Sequence, residues 1–500
     1  MADCPFTFPG GSEKLRGELQ GGPIRTKECR PMKLSPALPD IIARICICVV
    51  IATGLIQIFQ PIEWMAFAAG AALVVFFAMT WRQLTAVSIV PMVLAAALVA
   101  IALWQGVGVH AFGHALERAV FLASLLALLG VLRSAAAAAP EIERAGRYLT
   151  AQPPGRRYLA LNFGGHIFGT LINLGGLAIL LDMAMRAMAT GSSHLPPDLQ
   201  EVKFRRMTLA VTRGFSLVAL WSPMGFAVNS LLISMPSLDY LDFAPLGFAL
   251  SFLCAGYGWM LDRVTAPRGR VVARKAAPPD PADGRAVWLL MLHVTLLGAA
   301  VILLNAQTSL SFQQSLLLVV PSYSIGWAAW SGGRRALAAT TQVLGVSVSR
   351  FPLAASELGV FASAGLLSVL VVEVMPTEAI RLLAIDMQLT ALPVLWIFAG
   401  LLFGLGCIGI NPIITASVLG SLGSQLAIPG LSDVAIAVQL IGIWSAVMCF
   451  SPFITTVAYA ASLVGRSAFT VGLRWNWTYS IGVAVIWTLG TSVAVAIGVL

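Results

Sequence analysis

The sequence predicts an all-α polytopic membrane protein with about eleven transmembrane helices and two re-entrant hairpins, arranged as two inverted-topology repeats. Hydrophobic residues make up 58% of the 500 residues and charged residues only 11%, whereas a soluble domain has about 25% charged residues. Apolar runs of about 17–20 residues recur along the chain, and each is long enough to cross a hydrocarbon core of ~30 Å. One stretch in each half interrupts such a run with asparagine, glycine and proline.

The apolar segments divide the chain into a tail, a leading span, two repeats and a linker. We expect a cytoplasmic N-terminal tail over residues 1–40, a leading span over 41–63, a first repeat over 64–261, a cytoplasmic linker over 262–286 and a second repeat over 287–500. Each repeat is predicted to contain one hairpin and one broken helix. The hairpins are expected at 158–190 and 388–424, and the broken helices at 208–234 and 433–464.

The formal charge of +9 reflects basic residues in the connectors between apolar segments. If 158–190 enters and leaves the bilayer on one side, that side holds most of the basic residues. They are those of the tail, of 133–157, of 203–206 and of the linker. The outer connectors then keep only Arg118 and Arg381. Because this bias is typical of cytoplasmic loops, we expect an integral protein of a bacterial inner membrane with a cytoplasmic N-terminus and no nucleic-acid partner.

The two interruptions have matching compositions. The first reads Thr170-Leu-Ile-Asn-Leu-Gly-Gly176 and is followed by Trp221-Ser-Pro223; the second reads Gly409-Ile-Asn-Pro-Ile-Ile-Thr415 and is followed by Phe450-Ser-Pro452. Backbone that leaves a helix at membrane depth has to be buried in protein or line a wet cavity, and paired interruptions point to the binding site of a secondary transporter. The residues predicted to bind solute or ion are Thr170, Asn173, Gly175, Ser222, Pro223, Asn411, Pro412, Thr415, Ser451, Pro452 and Thr455.

Each of these residue types has a chemical reason to occur in such a site. A proline inside a helix removes a backbone hydrogen bond at a cost of about 3 kcal/mol, and unwound backbone offers carbonyls to a cation and N–H groups to an anion. Asparagine supplies both a donor and an acceptor. A single proline is more simply explained as a kink, and a single serine or threonine as a bond to its own helix carbonyl. Matching prolines in both halves favour unwinding.

The other polar residues of the apolar segments give weaker signals. Arg213, just before the first break, is the best candidate to approach an anionic solute, although a position near a segment end also allows snorkelling to the interface. His166 is expected to be a packing histidine. His110 and His114 have a metal-compatible spacing but no acidic cluster beside them, so no metal site is predicted. An interfacial aromatic belt is predicted at Trp475, Trp477 and Tyr479.

The layout of one leading span followed by two units, each with three spans, a hairpin, a broken helix and a final span, resembles the ion transporter superfamily over roughly residues 41–499. That superfamily includes divalent-anion/sodium symporters, arsenite-efflux permeases and large subunits of binding-protein-dependent dicarboxylate carriers. In the divalent-anion branch each hairpin tip carries Ser-Asn-Thr, and of these only Asn173 and Asn411 match here. The resemblance implies an elevator carrier, usually a homodimer, that is driven by a sodium or proton gradient and needs no other cofactor.

The function that these patterns favour is secondary active transport of a small anionic solute. One alternative is a membrane subunit that requires a separate solute-binding protein. Another is a membrane-embedded lipid or polysaccharide enzyme, which would normally show clustered Asp, Glu or His at one interface or a large outer loop. The outer loops are short and nearly free of charge, and no phosphate-binding glycine loop followed by Lys and Ser or Thr occurs. We therefore predict that the chain is not an enzyme.

Overall fold

The computed structural model describes residues 38–60, 62–191, 196–266 and 280–500, and the regular elements in these ranges are helices. The predicted tail and most of the predicted linker lie outside the described residues. The helices of the first half are α1 Leu38–Phe59, α2 Glu63–Met79, α3 Ala86–Trp104, α4 Val109–Ala138, α5 Pro140–Thr150, α6 Pro154–Ile172, α7 Leu174–Gly191, α8 Pro197–Ser216, α9 Phe226–Ser234 and α10 Tyr240–Val264. Those of the second half are α11 Pro281–Gln307, α12 Phe312–Gly332, α13 Ala336–Ser349, α14 Ala355–Val374, α15 Thr377–Asp386, α16 Ala391–Cys407, α17 Pro412–Leu426, α18 Asp433–Met448, α19 Thr455–Leu463 and α20 Trp475–Ala496.

Seven of the described helices are long and apolar enough to cross a membrane. They lie in Leu38–Phe59, Ala86–Trp104, Val109–Ala138, Tyr240–Val264, Ala282–Gln307, Pro352–Val374 and Thr470–Ala496. The predicted class, an all-α polytopic integral membrane protein, is therefore confirmed. Fewer helices reach this length than the about eleven spans predicted: α2 is a shorter apolar helix, α12 is not among the seven, and both predicted broken helices are cut in two.

The centre of the bundle is formed by α4 and α14. In the most apolar 18-residue window of α4, 83% of the residues are buried, and in that of α14, 67% are buried. Both fractions are higher than in any other of the seven spans. The two helices approach so closely that a Cβ on Gly365 of α14 would collide with the backbone of Ala119 in α4. Each central helix also packs against a helix of the other half, α3 on α14 and α12 on α4.

The chain reverses direction within both predicted hairpin segments. In the first, Asn173 separates α6 from α7, and the glycines show that the arms pack antiparallel: a Cβ on Gly176 would collide with the Phe168 carbonyl, and one on Gly164 with Leu180. In the second, α16 ends at Cys407 and α17 begins at Pro412. There Gly423 of α17 faces Phe398 of α16.

Both predicted broken helices lose helical backbone at their prolines. After α8, a single 3-10 turn at Leu217–Leu220 leads into non-helical backbone from Trp221 to Gly225 before α9 begins. After α18, the backbone from Cys449 to Ile454 is non-helical before α19 begins. We call these segments the first break (221–225) and the second break (449–454). A proline lacks the N–H that would continue the helix, which accounts for their positions.

The two halves contact each other reciprocally around the breaks. The helix after the first break, α9, packs on α17, the return arm of the second hairpin. The helix after the second break, α19, packs on α7, the return arm of the first hairpin. The two broken helices also meet directly, since the Ser445 hydroxyl lies 3.4 Å from the Ser216 hydroxyl. Hairpins and broken helices of both halves therefore form one packed group.

Three described helices were not predicted from the sequence: α5, α13 and α15. They have 11, 14 and 10 residues, and the longest is only ~21 Å at the helical rise, too short to cross the core of a bilayer. Segments this short contain no apolar run of span length, so the sequence predicts connectors at these positions.

Two glycines set the distance between the first hairpin and the first broken helix. A Cβ on Gly165 of α6 would collide with the Val211 carbonyl, and one on Gly214 of α8 with the Asn162 carbonyl. We expect Gly214→Ala to destabilise the purified protein by about 1–3 kcal/mol, because the helices have to separate to accept the methyl group. A lowered unfolding midpoint in detergent measures this.

Gly256→Ala in α10 is the matched control, because no atom lies within 4 Å of its Cβ position. Alanine is a better helix former than glycine by about 1 kcal/mol, so this variant should keep or raise the midpoint. Equal midpoints for the two variants would contradict the close approach of α6 and α8.

Candidate functional site

The tip of the first hairpin is Asn173, whose backbone has φ 56° and ψ −134°. It is half-buried, and its side-chain amide makes no hydrogen bond within the described part of the chain. Thr170 is less available, since its hydroxyl donates to the His166 carbonyl of its own helix at 3.0 Å. Gly175 lies in the first turn of α7, where a Cβ would press on the Ile172 side chain. Of the residues predicted at this tip, Asn173 is the one with a free functional group.

The first break contains a buried serine without a hydrogen-bond partner. Ser222 is fully buried, and its hydroxyl has no partner among the described residues. The break does not leave all its carbonyls free, as unwinding alone would suggest, because the Asn229 amide donates to the Pro223 and Gly225 carbonyls at 2.8 and 2.9 Å. The Oδ1 atom of Asn229 is itself buried without a described partner. Two oxygens, Ser222 Oγ and Asn229 Oδ1, are thus available to a ligand here.

A histidine–tryptophan contact ties the first hairpin to the first break. The Trp221 indole N–H donates to His166 Nε2 at 2.5 Å, and the two rings pack edge to face. The Trp221 carbonyl accepts from the Tyr240 hydroxyl at 2.8 Å. His166 is therefore a hydrogen-bonded packing residue that is unprotonated at Nε2, and it holds α6 against the break.

The second tip has a capped helix start and an unpartnered threonine. Asn411 Oδ1 accepts from the Ile413 backbone N–H at 3.1 Å and caps α17, with Pro412 at the first helical position. Gly409 has φ 100°, which allows the sharp turn before it. The Thr415 hydroxyl is buried and has no partner in the described ranges. The Asn411 amide N–H₂ group remains free to donate.

The second break lies directly against the second tip. A Cβ on Gly409 would contact the Phe453 side chain, and Phe403 of α16 packs on Phe450 at 5.2 Å between ring centroids. Ser451 is buried, and its hydroxyl accepts from the Phe453 N–H at 3.3 Å, next to buried Pro452. Thr455, the first residue of α19, is exposed. Each hairpin therefore contacts the break of its own half, whereas no described hydrogen bond joins Asn173 to Asn411.

Arg213 is a buried cation whose surroundings were not predicted. Only 3% of it is exposed, so the expectation that it could snorkel to the interface is wrong. Its Nε donates to Asn476 Oδ1 at 2.8 Å, and one terminal nitrogen lies 3.5 Å from the Tyr158 hydroxyl. The guanidinium carbon lies 4.6 Å from the centre of the Tyr479 ring. No carboxylate among the described residues pairs with this charge.

The Arg213 cluster reaches the second break. The neighbouring Thr212 carbonyl lies 3.8 Å from Cys449 Sγ, and the Tyr479 hydroxyl is buried without a described partner. A sequence signal did exist, since Arg213 lies seven residues beyond the basic connector that ends at Arg206, ~10 Å further along the chain at the helical rise.

The predicted aromatic belt is wrong for two of its three residues, because Trp475 and Tyr479 are buried and only Trp477 of the three is exposed.

Neither a protein-family model nor a curated protein matches the sequence. Among solved structures, the fold is similar to the crystal structure of the YdaH transporter of Alcanivorax borkumensis, which is described as having an unusual topology. The TM-score is 0.52, the sequence identity is 14%, and the match covers 76% of this chain and 86% of that chain. Similarity at this identity concerns the fold, and on that basis the chain has a membrane-transporter-like fold.

Proposed function

We propose that the chain is a secondary active transporter of a small anionic solute, driven by an ion gradient and working by an elevator movement. The observation that carries the proposal is the pair of broken helices, each in contact with its own hairpin, together with buried polar groups at the first break and at the second tip that have no partner among the described residues. Non-helical backbone of this kind is tolerated in a membrane protein where it is buried in protein or lines a cavity. The likeness to a transporter fold supports the same class.

The unpartnered groups are the proposed ligands of the solute and the coupling ion. Ser222 Oγ, Asn229 Oδ1 and Thr415 Oγ1 are buried without a described partner, and the Asn173 amide makes no hydrogen bond to a described residue. An unsatisfied buried polar group costs about 1–3 kcal/mol, a cost that a bound solute or ion removes. Neutral hydroxyl and amide oxygens suit a hard cation such as sodium; a proton is the other candidate for the coupling ion.

The proposed negative charge of the solute rests on Arg213. A buried arginine without a carboxylate partner is an uncompensated charge, and a charge at membrane depth marks a functional site by default. The cation extends from α8 toward α6 and α20, with Tyr158 and Asn476 fixing its direction. We propose that the anionic group of the solute binds there during transport.

The reciprocal packing of α9 on α17 and of α19 on α7 supports two inverted repeats that move as one block. The proposed block contains the hairpins and broken helices, and the proposed scaffold contains α1 to α4 and α11 to α14. We further propose a homodimer with its N-terminus in the cytoplasm. This mechanism requires no catalytic residue and no organic cofactor.

Uptake into proteoliposomes tests the proposal. The reconstituted protein would be supplied with labelled dicarboxylate, monocarboxylate, sulfate and phosphate, with sodium and proton gradients imposed separately. We expect at least one anion to accumulate above the level of empty liposomes, and only when one of the two gradients is present. Uptake of uncharged solutes alone, or anion flux that ignores both gradients, would contradict the proposal.

A further inference from the structure

The short helix α13 lies across one end of the helix bundle. In its middle, Val343 packs with Val131 and Ala135 of α4 and with Ala328 of α12. Near its end, Val348 borders a groove formed by the first turns of α1. The start of α14, which follows α13 in the chain, lies at the same end, because Arg133 of α4 forms an ion pair with Glu357 of α14 at 3.0 Å.

Two open clefts flank α13 at this end, which we call the α13 end. The first has a volume of ≈ 460 Å³ and lies between α13 and the last turns of α4 and α12, with Ser134, Ser331, Gln342 and Arg350 as its polar lining. The second has a volume of ≈ 430 Å³ and is almost entirely apolar, bordered by Ile41, Ile45 and Val348 with Arg44 at its edge. One cleft can therefore hold a polar group and the other an alkyl chain.

Most of the positive charge at the α13 end has no acidic partner within the described ranges. Arg334, Arg335 and Arg350 are exposed, and, like Arg44, they form no ion pair within the described ranges. The Nε of Arg44 is buried without a described partner. Among the arginines named at this end, the one with a carboxylate partner is Arg133.

Exposed tryptophans support a position of the α13 end at the level of the lipid headgroups. Trp330 in the last turn of α12 is exposed, and so is Trp81, which precedes Gln83. The Gln83 carbonyl accepts from the Ser356 hydroxyl at 3.0 Å, which fixes Trp81 to the same end as α14's start. Exposed tryptophan is typical of the headgroup level of a membrane.

We propose that the α13 end binds an anionic phospholipid. Arg350 and Arg44 hold the phosphate, Gln342 and Ser331 bond to the headgroup, and an acyl chain lies in the apolar groove beside Ile41, Ile45 and Val348. Basic pockets between membrane helices recognise anionic headgroups through this combination of charge and apolar wall. The site is separate from the hairpins and breaks, so it does not depend on the transport proposal.

Native mass spectrometry of the full-length protein, titrated in detergent with phosphatidylglycerol or phosphatidylcholine, tests the site. We expect phosphatidylglycerol to bind more tightly than phosphatidylcholine, and the double variant Arg44→Gln/Arg350→Gln to weaken phosphatidylglycerol binding by about tenfold or more. The matched control is Arg156→Gln/Arg285→Gln, which removes two exposed arginines outside both clefts. This control should bind phosphatidylglycerol as the unmodified chain does.

Three outcomes would overturn the site. The first is equal binding of the two lipids, and the second is an equal loss of binding in both double variants. The third is competition by inorganic phosphate at concentrations similar to the lipid, which would indicate an anion site without a role for the acyl chain. A thermal midpoint recorded for each variant without lipid separates loss of binding from loss of folding.

Discussion

Replacing Asn173 with glycine is expected to give a folded protein of equal or higher stability whose transport is strongly reduced. Asn173 holds φ 56° and ψ −134°, a conformation that glycine adopts freely and that costs other residues about 1–3 kcal/mol. The substitution relieves this strain and removes an amide that no described residue uses. We expect the unfolding midpoint to hold or rise, while uptake of the identified anion falls by about tenfold or more, as loss of a hydrogen bond to a charged ligand would give.

Variants at the second tip separate capping from binding. Asn411→Ser keeps a side chain that can cap α17, whereas Asn411→Ala loses the cap and about 1 kcal/mol of stability. Both should lose uptake, but only the alanine variant should lower the midpoint. As a control, Asn305→Ala removes an amide that donates to the Leu310 carbonyl at the end of α11, and it should transport normally. Full uptake by both Asn173→Gly and Asn411→Ser would show that the hairpin tips do not bind the solute.

Replacing Arg213 with glutamine is expected to raise the KM for the anionic solute by about tenfold or more, because the charge at the proposed site is lost. Arg213→Lys should recover part of the affinity, since it keeps the charge but not the forked geometry that contacts Asn476 and Tyr158. Initial uptake rates in proteoliposomes over a range of solute concentrations give the KM for each variant.

Arg206 provides a matched arginine on the same helix. It forms a bidentate pair with Asp262 at 2.7 and 2.6 Å, and Asp262 is buried. Arg206→Gln leaves that carboxylate without its partner and should cost about 3–5 kcal/mol of stability, with little change in KM. An Arg213→Gln variant that behaves in the same way, unstable but with unchanged KM, would identify Arg213 as a packing residue.

The sequence was most informative where one residue type decides the backbone. Long apolar runs gave the membrane class, and the segments containing Asn173, Pro223, Asn411 and Pro452 are where helices end in the structure. These features are local, because proline and glycine act on their own turn of the chain.

Contacts that depend on tertiary packing were out of reach. Arg213 meets Asn476 from 263 positions away and Tyr158 from 55, and no periodic pattern encodes such a pairing. The hydrogen bonds from Asn229 to the Pro223 and Gly225 carbonyls depend on the exact path of the unwound backbone. Helix α13 was missed because its 14 residues are fewer than a span requires.

The exchange of α9 and α19 between the halves has a consequence for biosynthesis. The return arm α7 is covered by α19, which is synthesised more than 260 residues later. Until that helix emerges from the ribosome, one side of the first hairpin faces lipid or water. Neither half of the polypeptide is therefore a self-sufficient folding unit, and the proposed binding site can form only when the last third of the chain has been inserted.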